Sequence, residues 1–424
     1  MQKAFNRNFS YALFRATSAT ILGLLTIKIV ATYGGAAQLG YFAQWQAFLI
    51  LSATITSSVA GTGLVKYVAE NFKKSLKKSI EYLQSGLVLS LLFSFILSLI
   101  SILFWKSILI FIGLENSQSI FILSAPVFIV LYALNAFMQS YENAVGNVGR
   151  LTFYVFVSNF ISFILILIGA LFFDSEEIFI LFFLGPAVTF ILLIVFYLTS
   201  LRRLDKDINY FFRRNNFHKS SETKNLINFS FMPIISLLSS MGLFILVRNE
   251  IGAYLDWESV GLWSGLKKIS DSFISMIAIL MTTYYVPALA KATGKTQINF
   301  EVIYLAKRII PLSFIILSGI YLMRHVIILL IFSEEFIQIE PLFLWQFLGD
   351  FLKVCSFVFS YVFLAKAMVS LVVILEVCFV ILFWMTFKPM MVSYGILGLA
   401  FTHFIVYSCY LITCMLLYYL IYRR

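Results

Sequence analysis

The chain has 424 residues, of which 61% are hydrophobic and 12% charged, with 31 Lys and Arg against 20 Asp and Glu and a formal net charge of +11. A soluble domain carries about 25% charged residues, so this composition, with a mean hydropathy of +0.95, argues against a soluble enzyme or a nucleic-acid-binding module and points to work inside or across a bilayer. The four cysteines, Cys355, Cys378, Cys409 and Cys414, fall in apolar stretches with no CxxC spacing, which argues against zinc, redox or disulfide roles.

A hydrocarbon core about 30 Å thick takes about 20 apolar residues per helix. By that measure the first six membrane helices are expected at 11–33, 39–61, 81–105, 120–141, 151–172 and 178–199. The next six are expected at 225–247, 259–287, 301–323, 342–364, 370–387 and 395–420. Lys3, Arg7 and Arg15 precede the first run in the manner of a signal peptide, but that run is too long and lacks a small-residue cleavage site, so it reads as a retained helix.

Basic residues set the orientation. With the amino terminus inside, nineteen of the 31 Lys and Arg fall in cytoplasmic segments, chiefly 62–80 and 200–223, while the outer loops are acidic, with Asp174, Glu176, Glu177, Asp256, Glu258, Glu334 and Glu335. The positive-inside rule then places both termini in the cytoplasm. Laid on itself at an offset of about 221 residues, the chain brings Leu39-Gly40-Tyr41-Phe42 onto Val260-Gly261-Leu262-Trp263, and Trp105-Lys106 close to Met323-Arg324. An even number of helices per repeat makes the two halves parallel. The expected division is an N-terminal six-helix bundle over 1–205, a cytoplasmic linker over 206–224 and a C-terminal bundle over 225–424, with a central cavity between the bundles.

Ionisable groups at membrane depth cost of order 2.5–3.5 kcal/mol each on insertion scales, so they turn toward a cavity or a partner. Here they are mostly cationic: Arg15, Lys28, Lys267, Lys268, Lys307, Arg308 and Lys353, against Asp271, Asp350 and Glu376, with Arg248 at an outer margin. An anionic cargo follows. In the eighth expected helix Ser264, Lys268, Asp271, Ser275 and Thr282 recur at three- and four-residue steps, with Ala278 filling the gap, a stripe read as lining water or substrate. Lys267 and Lys268 also lie within reach of an intrahelical ion pair with Asp271, the packing alternative. Gln346, Asp350 and Lys353 repeat the pattern in the tenth helix, while Asn135, Gln139 and Glu142 share a face of the fourth, and Asn225, Asn228, Ser236 and Ser239 of the seventh. Such amides and hydroxyls suit sugar hydroxyls and equally hold helices together. Pro126, Pro186, Pro233, Pro287 and Pro311 fall within or at the end of apolar helices, where a bend is expected.

Enzymatic signatures are absent: the sequence has no GxGxxG, GxxxxGK[ST], GxSxG or HExxH, and His218, His325 and His403 are scattered. Asp205-Lys206-Asp207 mimics a DxD metal motif but sits in a charged linker, so no metal or cofactor is expected.

Val260-Gly261-Leu262-Trp263, Ile269-Ser270-Asp271-Ser272, the run from Leu344-Trp345-Gln346 through Gly349-Asp350 to Lys353-Val354, and Lys366-Ala367 resemble the Wzx-type flippases of O-antigen and enterobacterial common antigen assembly. Those proteins belong to the multidrug, oligosaccharidyl-lipid and polysaccharide exporter superfamily. Gly23-Leu24-Leu25 with Lys28, Leu39-Gly40 and Val65-Lys66-Tyr67-Val68-Ala69 look similar to the same family. The resemblance implies an all-α integral membrane protein of about 12 helices in two parallel six-helix bundles around a cavity, a MATE-like fold. It further implies a flippase, not an enzyme, that moves undecaprenyl-pyrophosphate-linked oligosaccharide from the cytoplasmic to the periplasmic leaflet of the bacterial inner membrane by alternating access.

On that reading Arg15, Lys28, Arg248, Lys267, Lys268, Lys307, Arg308 and Lys353 are the candidate substrate contacts. Asp271, Asp350 and Glu142 are the candidates for gating or for coupling to H+ or Na+. Polysaccharide polymerase and chain-length proteins are the implied partners besides the bilayer. Two alternatives stand beside it: a cation-coupled multidrug exporter of the same fold, which would favour carboxylates and aromatics in the cavity, and a membrane enzyme acting on lipid-linked glycans, which the short outer loops disfavour.

Overall fold

The computed structural model describes residues 2–71, 75–113, 119–172, 184–185, 188, 190–191, 222–227, 234 and 238–422. All regular structure among these residues is helical. Helix α1 runs Gln2–Asn71, α2 Leu76–Leu103, α3 Trp105–Ile112, α4 Ser119–Val145 and α5 Val148–Phe172. A π turn at Leu238–Gly242 leads into α6, Leu243–Tyr254, followed by α7, Trp257–Leu280, a second π turn at Met281–Tyr285, and α8, Val286–Lys291. The remaining helices are α9 Lys295–Leu322, α10 Arg324–Ile331, α11 Leu342–Ala365, α12 Val369–Tyr394 and α13 Leu397–Tyr422. Eight described helices are long and apolar enough to cross a membrane, or nine if α9 and α10 form one bent span. The chain is a multi-pass membrane protein.

The expected helices at 11–33 and 39–61 are both found within α1. They are parted at Gly35, whose φ of 73° breaks the helix at a residue with no Cβ to clash. The sixth expected helix falls almost wholly outside the described residues, and the seventh does so in part. Several helices outrun their hydropathic limits: α1 continues to Asn71 and α12 to Tyr394, past Lys388 and Pro389. Hydropathy measures the apolar core only, and backbone hydrogen bonding continues beyond it. Lys388 is held there by an ion pair to Glu250 at 3.0 Å.

The bends are not all where the prolines are. Pro126 and Pro311 sit inside α4 and α9, whereas the 70° bend between α9 and α10 falls at Met323. Pro287 does mark a change: it removes the donor that the Thr283 carbonyl would receive, and the turn before it widens to a π turn. Pro186 and Pro233 lie outside the described residues.

The internal repeat is visible in the elements. The long α2, one non-helical residue at Phe104 and the eight-residue α3 recur as α9, Met323 and α10, each boundary displaced by 219 positions (76 to 295, 103 to 322, 105 to 324, 112 to 331).

Packing divides the chain into two compact units, Met1–Ile29 with Tyr41–Asn249, and Val30–Gly40 with Glu250–Arg424. Residues near the expected start of the second bundle thus pack with the first unit. Leu226 joins Leu64, Val68, Tyr82, Leu89, Phe137 and Ala144 in one buried cluster, and the Asn225 amide donates to the Tyr82 hydroxyl at 3.4 Å. Of the expected 206–224 linker, all but 222–224 lies outside the described residues.

In the first unit, α2 packs on α4 and the fully buried Gln44 donates its Nε2–H to two carbonyls, Ile112 at the end of α3 at 2.8 Å and Ile245 in α6 at 3.1 Å. The Ile112 carbonyl, at a helix end, has no intrahelical partner, so this amide satisfies a group that lipid cannot. We expect Gln44→Leu to lower unfolding stability in detergent by about 1–3 kcal/mol, the cost of leaving buried polar groups unsatisfied, read as a drop in thermal midpoint at unchanged spectroscopic helicity.

In the second unit α11 is the central helix, half of its apolar window being buried against 11% for α12 and α13, and its closest partner is α13. The strap Val30–Gly40 lies against α7 through small residues: a Cβ at Gly40 would sit 2.6 Å from the Trp257 carbonyl oxygen and 3.0 Å from the Gly261 nitrogen. Glu335 accepts the Ala36 N–H at 3.1 Å and fixes the strap beside the Gly35 break.

Candidate functional site

The ionisable side chains of the second unit gather where α7, α11 and α13 meet. Asp350, in the interior of α11, is fully buried. Its Oδ1 accepts the Ser270 hydroxyl of α7 at 2.8 Å and faces His403 Nε2 of α13 at 2.9 Å. Gln346, one turn earlier on α11, donates Nε2–H to the same Ser270 oxygen at 3.1 Å. Ser270 is therefore a relay, accepting from an amide and donating to a carboxylate, and it ties α7 to α11. Asp350 Oδ2 is buried with no hydrogen-bond partner among the described residues.

One turn beyond Asp350 the Lys353 ammonium lies 5.0 Å from the centre of the Tyr407 ring, a cation–π contact. Tyr407 is one turn beyond His403, their rings 4.7 Å apart. Lys353 is within electrostatic reach of both Asp350 and Asp271. Asp350 thus turns to His403, and Lys353 to the tyrosine.

On α7 the intrahelical pair forms with Lys267, whose ammonium meets both Asp271 oxygens at 3.0 Å. Asp271 keeps about half of its side chain accessible, at 49%, and Lys267 15%. Ser275 and Thr282, further along the same stripe, are exposed, but their hydroxyls bond to their own helix at the Ser272 and Ala278 carbonyls. Ser264 is buried, so the stripe leaves the unit's accessible surface at that end. Lys268 is partly buried beside Asp271.

The other expected cations are dispersed. On α9 Lys307 and Arg308 are exposed, and the Arg308 guanidinium stacks 3.6 Å from the Tyr304 ring centre. In the first unit Lys28 is exposed, while Arg15 and Arg248 are partly buried. Glu142 is buried near the end of α4, hydrogen-bonded to the Asn147 side chain and within electrostatic reach of Arg150. Asn135 and Gln139 bond to each other, Nε2 to Oδ1 at 2.6 Å. Asn228 and Ser236 lie outside the described residues.

Sequence reasoning missed His403, Tyr407 and the role of Ser270. A histidine 53 residues from its carboxylate leaves no local spacing signal. The one sequence hint is Gly349, immediately before Asp350: a Cβ there would overlap the His403 ring, so the glycine supplies the space that the imidazole fills.

No protein-family profile matches the chain. It is 30% identical over 189 residues, 45% of this chain and 45% of the relative, to the lipid III flippase of Escherichia coli strain K12, and to the same extent to that of Shigella flexneri. The matched segment thus spans less than half the length of those relatives. Among solved structures it is similar to a multidrug resistance MATE family transporter of the MOP superfamily in an inward-facing conformation, with a TM-score of 0.79 and 12% identity over 96% of this chain and 97% of that one. The lipid II flippase MurJ in an inward closed conformation gives a TM-score of 0.75 and 15% identity over 96% and 86%. The fold is MATE-like.

Proposed function

We propose that the chain is a flippase for undecaprenyl-pyrophosphate-linked oligosaccharide, an O-antigen or related repeat unit, carried from the cytoplasmic to the periplasmic leaflet of the bacterial inner membrane with both termini in the cytoplasm. The observation that carries the reading is the surplus of cations at membrane depth in a MATE-like fold: Arg15, Lys28, Lys267, Lys268, Lys307, Arg308 and Lys353 against Asp271, Asp350 and Glu376. A pyrophosphate cannot shed its hydration in hydrocarbon unaided, and fixed cations replace that hydration. The similarity to lipid III flippases over 189 residues supports the same substrate class.

Lys353 and Lys268 are the foremost phosphate contacts, because Lys267 is already neutralised by Asp271. Arg15, Lys28, Lys307, Arg308 and Arg248 line the path on the same reading, with Glu142 and Asp271 as gating groups. Moving about two negative charges outward across an inside-negative membrane is downhill by roughly 4–5 kcal/mol at 100 mV, and a coupling ion, H+ or Na+, adds to that at Asp350. Complementation of a flippase-deficient bacterium, scored by the glycan reaching the cell surface, tests the proposal. Wild type restores surface glycan, and Lys353→Gln and Lys268→Gln each reduce it by tenfold or more at equal protein level. Full activity of both variants rejects the phosphate role, and drug resistance without surface glycan rejects the substrate class.

A further inference from the structure

We infer that Asp350 and His403 form a single proton-binding couple inside the second unit, and that the ion this protein exchanges is H+ and not a metal cation. The inference deepens the transport reading above by naming the coupling ion and its second residue.

Three observations carry it. The couple is buried, Asp350 completely and His403 to all but about a tenth of its surface, and it spans two membrane helices, His403 Nε2 lying 2.9 Å from Asp350 Oδ1. Its environment is built for an imidazole, since Gly349 leaves free the volume that the His403 ring occupies. It also has unused capacity: Asp350 Oδ2 is buried and unpartnered, while Oδ1 already meets Ser270 and His403. A hard cation collects six or more oxygens. Here one carboxylate oxygen is open, the other faces a ring nitrogen, and no group of three or more His, Cys, Asp and Glu among the described residues could hold a metal ion. A proton needs one lone pair. Binding forms one N–H or O–H bond on the couple and breaks none within the protein.

The surrounding charges agree. Lys353 on α11, Tyr407 on α13 and Lys267 on α7, itself paired with Asp271, lie within electrostatic reach of the couple. Lys353 compensates the carboxylate when the couple is deprotonated, while Lys267 is already paired with Asp271. Of the other helices packed on α11, α8 contributes the exposed Lys291, α9 the exposed Lys307 and Arg308, and α12 the partly buried Glu376, which lies toward Tyr410. Because α11 and α13 are the most closely packed pair of the unit, protonation at their seam changes what holds them together.

The chain has three histidines, so histidine labelled with 15N gives few signals, and His403 is assigned by their loss in His403→Gln. In lipid nanodiscs, wild-type His403 is expected to follow two proton-uptake steps, its own and its neighbour's, as interacting groups do. Asp350→Asn leaves one step, Gly349→Ala displaces the ring and alters both, and exchanging Na+ for K+ changes nothing. A titration unaltered in Asp350→Asn and Gly349→Ala, or signals that move with Na+, overturns the inference. In vesicles, the glycan-lipid transfer of wild type responds to an imposed pH gradient, and that of His403→Gln and Asp350→Asn does not. If the two-step titration is seen and wild type moves no glycan lipid, the transport reading fails while the proton site stands. Should Asp350→Asn not accumulate, Gly349→Ala and His403→Gln decide the matter.

Discussion

Replacing Gly261 with alanine is expected to cost the protein most of its folded yield. The added methyl would overlap the Ala36 carbonyl oxygen and lie 2.5 Å from its carbon and 3.1 Å from the Gly40 nitrogen, all backbone atoms that have no rotamer to change. Overpacking a close helix contact costs about 1–3 kcal/mol even where neighbours can yield, and here the strap from Val30 to Gly40 must move as a whole. The control is Gly319→Ala in α9, where nothing lies within 4 Å of the new atom. That change should be neutral or slightly stabilising, since alanine exceeds glycine in a helix by roughly 0.5–1 kcal/mol. Fluorescence-detected size exclusion of detergent extracts, with melting curves, separates the two; equal profiles for Gly261→Ala and Gly319→Ala would remove the close approach from the account.

The second large effect is expected at the seam of α11 and α13. His403→Leu leaves Asp350 buried with one donor in place of two, and removing one member of a buried couple costs about 3–5 kcal/mol. The double variant Asp350→Leu with His403→Leu removes both polar groups and should regain a good part of that loss, because two apolar side chains of suitable volume pack well in a site that excludes water. Melting curves of the two single variants and the double variant in nanodiscs give the coupling energy. Strict additivity would mean that the 2.9 Å approach contributes nothing to folding. Stability and transport separate in this experiment: the double variant should be folded and inert to a pH gradient.

Gly40 and Gly261 show how far local pattern can reach. They align at the 221-residue offset, and in the folded second unit they touch, each leaving room for the other's backbone. Small residues four apart, Ala36 with Gly40 and Gly261 with Gly265, are the usual means by which membrane helices approach closely. Apolar run length likewise located the described spans, and four-residue spacing put Lys267 within reach of Asp271. It left open which lysine takes the carboxylate, because 267 and 268 differ only in the direction their side chains leave the helix.

Hydrophobic run length, the bias of basic residues and the 3.6-residue period are properties of neighbouring residues, and they suffice for a multi-pass helical protein with a doubled architecture. The partner of Asp350 is of another kind. It depends on α13 lying against α11 at the turn where Gly349 clears space for a ring, and on Ser270 arriving from α7 at the same depth. Lipid offers no competing hydrogen bonds, so a buried carboxylate takes whichever donor packing delivers, and only the three-dimensional meeting of helices distant in sequence selects that donor.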